Sequence, residues 1–179
     1  PSLQSNDGPL RFVFAGRMIH YKGLDILADA LATIRHSDRW RLVVAGDGPA
    51  LTPEMQARFL LPQVESCSRR WLSHDEHEAL IESCDVVLAP YRSATQSGVV
   101  AEALARGKPS IVTPVGGLPE QVGGGIAGWV AEQASGDAFG AALAAALTNA
   151  ESVRAKSQAA LELAERAWRG GFWDWLGEH

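Results

Sequence analysis

Cysteine is scarce: Cys67 and Cys84 are the only two in 179 residues. Two unpatterned cysteines exclude a disulfide framework and a zinc site, and they read as core thiols in a reducing compartment. An excess of positive charge is missing too, the net charge being -5. That argues against a nucleic-acid binder working through bulk electrostatics. It leaves room for a phosphorylated small molecule, which needs only two or three local cations. No apolar run approaches the roughly 20 residues of a membrane span. The stretch from Pro1 to Pro9 lacks the basic and apolar regions of a signal peptide, and the expected location is cytoplasmic. Residue 1 is Pro, compatible with a numbering that starts inside a longer chain, and Glu178–His179 resemble the remnant of a tag. An Asp-x-Asp cluster for a divalent cation is also absent, so no metal and no cofactor are expected.

What remains is an ordinary globular composition, 46% hydrophobic and 21% charged, of a length that fits one domain or one lobe of a larger enzyme. Short apolar runs alternate with amphipathic ones. Strands are expected at Arg11–Gly16, Trp40–Gly46, within Gln63–Trp71, and at Asp85–Pro90, Pro109–Thr113 and Ile126–Ala131. Helices are expected at Gly23–Ile34, where Leu24, Leu27, Leu31 and Ile34 keep a helical spacing, and at Pro53–Leu60. Ser73 with Glu76 forms a capping box that opens another, running to about Ser83. Gly98–Arg106 is helical and stopped by Gly107, a short helix lies near Glu120, and two Ala-rich helices span Ala138–Leu147 and Val153–Trp168. Near-continuous apolar strands alternating with helices predict an α/β domain: a Rossmann-like doubly wound parallel sheet of about six strands with helices on both faces. Ligands of such sheets bind beyond the carboxyl ends of the strands. The loops Gly16–Gly23, Gly46–Pro49, Trp71–Ser73, Pro90–Gly98 and Thr113–Glu120 should therefore share one edge.

Those loops hold the candidate chemistry. Gly16-Arg17-Met18-Ile19-His20-Tyr21-Lys22-Gly23 places a guanidinium fork and an ammonium at the mouth of a helix, suited to a diphosphate. On composition alone it could also be a solvated basic turn. The P-loop spacing is absent. Gly46-Asp47-Gly48-Pro49 reads as a tight turn that lets a backbone pass close by. In Thr95-Gln96-Ser97-Gly98-Val99 a small-residue turn enters a helix, and the amides of Ser97, Gly98 and Val99 would face an anion. Glu102, one turn on, would repel phosphates but suits two vicinal hydroxyls such as those of a ribose. In Gly116-Gly117-Leu118-Pro119-Glu120 the paired glycines permit close backbone approach. Glu120 opens the next helix.

Taken in order, four of these pieces resemble the C-terminal lobe of the family-4 retaining glycosyltransferases of GT-B architecture. They are Gly-Arg-x4-Lys-Gly at 16–23, Gly-Asp-Gly-Pro at 46–49, Glu-Ala-x-Ala-x-Gly-x-Pro at 102–109 and Gly-Gly-x-Pro-Glu at 116–120. The resemblance implies that residues 1–179 form a single donor-binding domain whose N-terminal acceptor lobe is absent from the chain. Gly16 belongs to the phosphate loop, and Arg17 and Lys22 would bind the donor diphosphate and stabilise its departure. Trp71, Leu72 and nearby Arg70 match the segment that holds the base. Ser97, Gly98 and Val99 match the backbone that meets the phosphates, and Glu102 would hold the ribose. Ala94 stands where the family has a Glu near the transferred sugar, so Gln96 or Ser97 would take over polar contacts there. The implied reaction is metal-independent hexosyl transfer from a nucleotide sugar with retention. The missing lobe would be the partner and would carry any peripheral membrane contact, and the chain alone should bind a nucleotide without transferring sugar. The aromatic tail, Trp168 to Trp175, would pack on that lobe or cap its own helix. Two rival readings stay open: a non-catalytic nucleotide-sugar-binding module weakened at Ala94, and a GT-B sugar-nucleotide epimerase. A dinucleotide oxidoreductase is disfavoured for want of Gly-x-Gly-x-x-Gly.

Overall fold

The structure is a computed structural model that describes residues 8–177, with side chains through residue 167. Six strands form one all-parallel sheet in the order β3-β2-β1-β4-β5-β6. They are β1 (Leu10–Ala15), β2 (Trp40–Gly46), β3 (Val64–Arg69), β4 (Val86–Ala89), β5 (Ser110–Val112) and β6 (Gly128–Val130). The connecting helices are α1 (Leu24–Ile34), α2 (Pro53–Ala57), α3 (His74–Ser83), α4 (Gly98–Ala105), α5 (Leu118–Gln121), α6 (Gly136–Thr148) and α7 (Ala150–Gly177). The expected fold class is the observed one. Of the aromatic tail, α7 includes the backbone, while the side chains from Trp168 onward and residues 178–179 lie outside what is described.

Alternation along the central strand divides the core. Phe12 and Phe14 of β1 join Leu42, Val44, Val86 and Leu88 in a large cluster beneath α1 and α6. Val13 and Ala15 face the other way, into a smaller cluster with Ile81 and Cys84 at the end of α3 and Ala103 of α4. Successive side chains of a strand point to opposite faces, so a sheet covered on both sides needs the unbroken apolar run that β1 supplies. Each fully buried Leu of α1, such as Leu27 and Leu31, contributes about 1.5–3 kcal/mol. Helix α6 approaches α1 closely because Gly136 and Gly140 lack side chains: a Cβ on Gly136 would lie 2.3 Å from Cβ of Asp29, and one on Gly140 2.3 Å from Oγ1 of Thr33. Trp40, wholly buried, donates its indole N–H to the Ile34 carbonyl at 2.9 Å, tying the end of α1 to the start of β2.

Some boundaries differ from the sequence expectation. The helix expected from Gly23 to Ile34 is α1, with Gly23 as its N-cap; a 3-10 turn at His20–Lys22, not foreseen in the loop before it, is closed by Gly23 in the left-handed region at φ 67°. Helix α2 stops at Ala57, short of the expected Leu60. Helix α6 begins at Gly136, capped by the Ser135 hydroxyl on the Ala138 amide. Of the two cysteines, Cys84 is buried, with burial pushing its thiol up to about 12, and Cys67 is half-buried.

Candidate functional site

Parallel strands bring their carboxyl ends to one edge, and hydrogen bonds knit the loops there. Met18 N–H donates to the Asp47 carbonyl at 2.8 Å and the Met18 carbonyl accepts from Ala50 at 2.8 Å. Arg92 N–H donates to the Tyr21 carbonyl at 2.7 Å, and Gly117 N–H to that of Thr95 at 3.0 Å. Gly48 does let a backbone pass, since a Cβ there would meet the Met18 carbonyl oxygen at 2.3 Å. Gly16 and Gly46 cross in the same way: a Cβ on Gly46 would lie 1.8 Å from the Gly16 oxygen.

The two cations of the first loop have different surroundings. Arg17 is exposed, and its guanidinium has no hydrogen-bond or ion-pair partner among the described residues. Lys22 is half-buried; its Nζ donates to the Tyr91 hydroxyl at 2.6 Å. Burial holds its ammonium below the usual lysine range, and burial likewise pushes the Tyr91 phenol up. The Tyr91 oxygen lies 3.2 Å from Oγ of Ser97. Ser97 is the N-cap of α4, its hydroxyl accepting from Val100 N–H at 3.3 Å.

The helix mouth corrects one expectation. The Ser97 amide is not free: it donates to Oε1 of Gln121 at 2.8 Å, while Nε2 of Gln121 donates back to the Ser97 carbonyl at 3.2 Å. Only Gly98 and Val99 keep amides without a partner among the described residues. They lie at the positive end of the helix dipole.

Glu102, on α4, reaches toward α3. Its Oε2 is 3.2 Å from Nδ1 of His77, and its Oε1 is 3.4 Å from Arg106, buried and without a properly formed hydrogen bond. Arg106 also pairs with Glu78. The expected grip used both carboxylate oxygens on two hydroxyls, whereas here one is turned inward to Arg106. On β3's side, Trp71 is 65% exposed, with no aromatic or cationic side chain stacked on it among the described residues, and Leu72 is half-buried. Arg70 pairs with Glu76 at 2.9 Å and donates to the Trp71 carbonyl at 3.3 Å. It therefore braces the segment it was expected to join as a ligand-binding side chain. The capping box stands as expected, with Ser73 accepting from Glu76 N–H and Glu76 from Ser73 N–H.

The hydrogen bond from Arg70 holds the Glu76 carboxyl at about 2, against 4.5 ordinarily. A depressed carboxyl contributes stability above its unfolded value and loses it as pH falls through its folded one. The contribution should thus fade from pH 4.5 down to about 2. It is small, because both side chains are exposed. Urea titrations should show Glu76→Gln losing less stability than the parent across that window; identical acid limbs would contradict the coupling.

Ala94 borders an open hollow of about 560 Å³ lined by Arg92, Ser93, Ala94, Thr95, Val115 and Gly116. No carboxylate lines it, and Arg92 is turned to Asp25. Gln96 is exposed, its Cγ 3.8 Å from where a Cβ of Gly117 would stand. Sequence reasoning missed Tyr91, Gln121, His77 and Arg106. Tyr91 carried a faint signal, because a buried tyrosine needs a partner for its hydroxyl. The other three carried none.

A doubly wound, all-parallel sheet with its loops gathered at the carboxyl ends of the strands defines a Rossmann-like α/β domain. The family model for glycosyl transferases group 1 matches residues 9–149, and the chain belongs to that family. It is 33% identical over 129 residues to an uncharacterized glycosyltransferase of Methanocaldococcus jannaschii, covering 72% of this chain and 36% of that protein. It is 32% identical over 155 residues to a D-inositol 3-phosphate glycosyltransferase of Corynebacterium glutamicum, covering 77% and 35%. The chain thus spans about a third of the length of these relatives. Among solved structures, Anabaena HepE in complex with UDP aligns with a TM-score of 0.76 at 20% identity, over 89% of this chain and 44% of that one. The C-terminal domain of a group 1 family protein from Francisella tularensis aligns at 0.72 and 19%, over 90% and 87%. These two likenesses show the fold. None of the described helices is long and apolar enough to cross a membrane.

Proposed function

We propose that this chain is the donor lobe of a family-4-type enzyme that transfers a hexosyl group from a nucleoside-diphosphate sugar with retention and without a metal. The single observation that carries the reading is the convergence of Arg17, Lys22 and the open amides of Gly98 and Val99 at one sheet edge. An anion entering there meets a guanidinium without a partner among the described residues, a partly desolvated ammonium and a helix N-terminus. Negative charge grows on a departing diphosphate, and fixed donors of this kind lower the barrier to its departure. Positive charge supplied by the chain itself supports the metal-independent reading. HepE is known in complex with UDP, which favours a nucleoside diphosphate here.

In this reading Glu102 takes a ribose hydroxyl on Oε2, the oxygen it shares with His77, and the base lies on the Trp71–Leu72 segment. The transferred sugar fills the hollow beside Ala94, reached by Gln96, Ser93 and Thr95. The acceptor, and any membrane surface, would belong to a second lobe outside this chain, so the chain alone binds and does not transfer. Calorimetric titration with UDP, GDP and ADP tests the reading. At least one should bind with a stoichiometry near one, and its affinity should be unchanged by a chelator. Absence of binding by all three would sink it. A module without catalysis and an epimerase share this binding result, and differ in turnover of the nucleotide sugar by the full-length protein with and without an acceptor.

A further inference from the structure

Lys22, Tyr91 and Ser97 form a chain of hydrogen bonds whose direction can be counted. A lysine ammonium only donates, so the 2.6 Å contact makes the Tyr91 oxygen an acceptor. The 3.2 Å contact between Tyr91 and Ser97 consumes one hydroxyl proton. Two hydroxyls carry two protons, so one is left over. No acceptor for it exists among the described residues, although Tyr91 is 2% and Ser97 3% exposed. A buried hydroxyl proton without an acceptor is costly, and such groups in native proteins are nearly always satisfied. The surroundings decide which proton it is. Ser97 caps α4 beside the open amides of Gly98 and Val99, where an anion would sit, whereas the Tyr91 oxygen has the Lys22 ammonium against it. With Tyr91 donating to Ser97, the serine oxygen accepts from both Tyr91 and Val100 and its own proton must point elsewhere.

We propose that the Ser97 hydroxyl donates to an oxygen of the bound diphosphate, and that Tyr91, itself fixed by Lys22, is the positioning residue that turns that proton outward. The proposal rests on the donor-lobe reading above. It assigns the contribution of Ser97 to its side chain, since Gln121 occupies both its amide and its carbonyl. The relay also makes one unit of three elements, so the ammonium after β1 and the helix mouth after β4 keep their spacing before any ligand arrives.

The test uses the whole 179-residue chain and four proteins: wild type, Tyr91→Phe, Ser97→Ala and the double variant. UDP affinity is read by calorimetry and uridine affinity by saturation-transfer NMR. A hydrogen bond to a charged group implies about a tenfold or greater loss of UDP affinity in each single variant. Uridine, which has no phosphate, should bind all four alike. The double variant should lose less than the product of the two single losses, because both changes break one relay. Tyr91→Phe keeps the buried ring and the Ser97 cap, so it carries the test should Ser97→Ala lower stability. Unchanged UDP affinity in both single variants, equal losses for UDP and uridine, or full multiplicativity in the double variant would each overturn the relay. In those cases wild-type binding of UDP still upholds the donor site. A wild type that binds none of UDP, GDP and ADP removes the donor-lobe reading and the relay with it.

Discussion

The Arg17→Ala/Lys22→Ala double variant is expected to lose nucleoside diphosphate affinity by roughly 10²- to 10⁴-fold. Two charge-assisted contacts at about 1.5–3 kcal/mol each give that range. The two residues should not contribute alike. Arg17 stands in solvent, its guanidinium without a partner among the described residues, so its removal subtracts a contact and leaves the free protein unaltered. Lys22 is held in place by Tyr91 and partly desolvated. Its removal also strips the phenol of its donor and loosens the helix mouth. Lys22→Ala should therefore account for the larger share, and Lys22→Arg should restore little of it, because a planar guanidinium does not fit a point-charge site on a phenol oxygen. Calorimetry on the two single variants and the double decides this. A double variant that binds like wild type would remove the diphosphate from this loop.

The second large effect is expected at Gly23. Its backbone is left-handed, at φ 67° and ψ 37°, and a Cβ there would stand 1.8 Å from the Pro90 carbonyl oxygen. Neither atom can yield without moving backbone, since one loop follows β1 and the other β4. Gly23→Ala should cost at least about 2 kcal/mol in urea unfolding, combining left-handed strain with separation of the loops. It should also weaken nucleotide binding, because Lys22 precedes it and Tyr91 follows Pro90. Gly98→Ala is the internal contrast. Nothing lies within 4 Å of its Cβ position and its φ is ordinary, so its stability should stay within about 1 kcal/mol of the parent. Equal stability of Gly23→Ala and Gly98→Ala would mean that the β1 and β4 loops are not in rigid contact.

Much of the fold could be read before any coordinates, and the readable parts share a property. Parallel pairing was implied by β1 and β4, whose runs Phe12–Ala15 and Val86–Ala89 leave no polar face to expose. The capping box was legible because Ser73 and Glu76 are three residues apart, within one turn, and nothing distant is needed to bring them together. Helix α1 was legible for the same reason, since Leu24, Leu27, Leu31 and Ile34 lie on one face of a single segment. The family assignment likewise came from short motifs in a fixed order.

The sequence alone determined the alternation of strands and helices, the edge at which the loops gather, and the placing of Arg17 and Lys22 in the first of those loops. Tertiary structure decided which of their atoms are free. Lys22 meets Tyr91 across 69 positions, and Ser97 is held by Gln121 across 24. Glu102 turns one oxygen to Arg106 and the other to His77 on a neighbouring helix. A pattern of periodicity fixes where a side chain starts. The hydrogen bonds it ends up making depend on which loops the strand order sets side by side, and β1 lies next to β4 only because the chain crosses over β2 and β3 first.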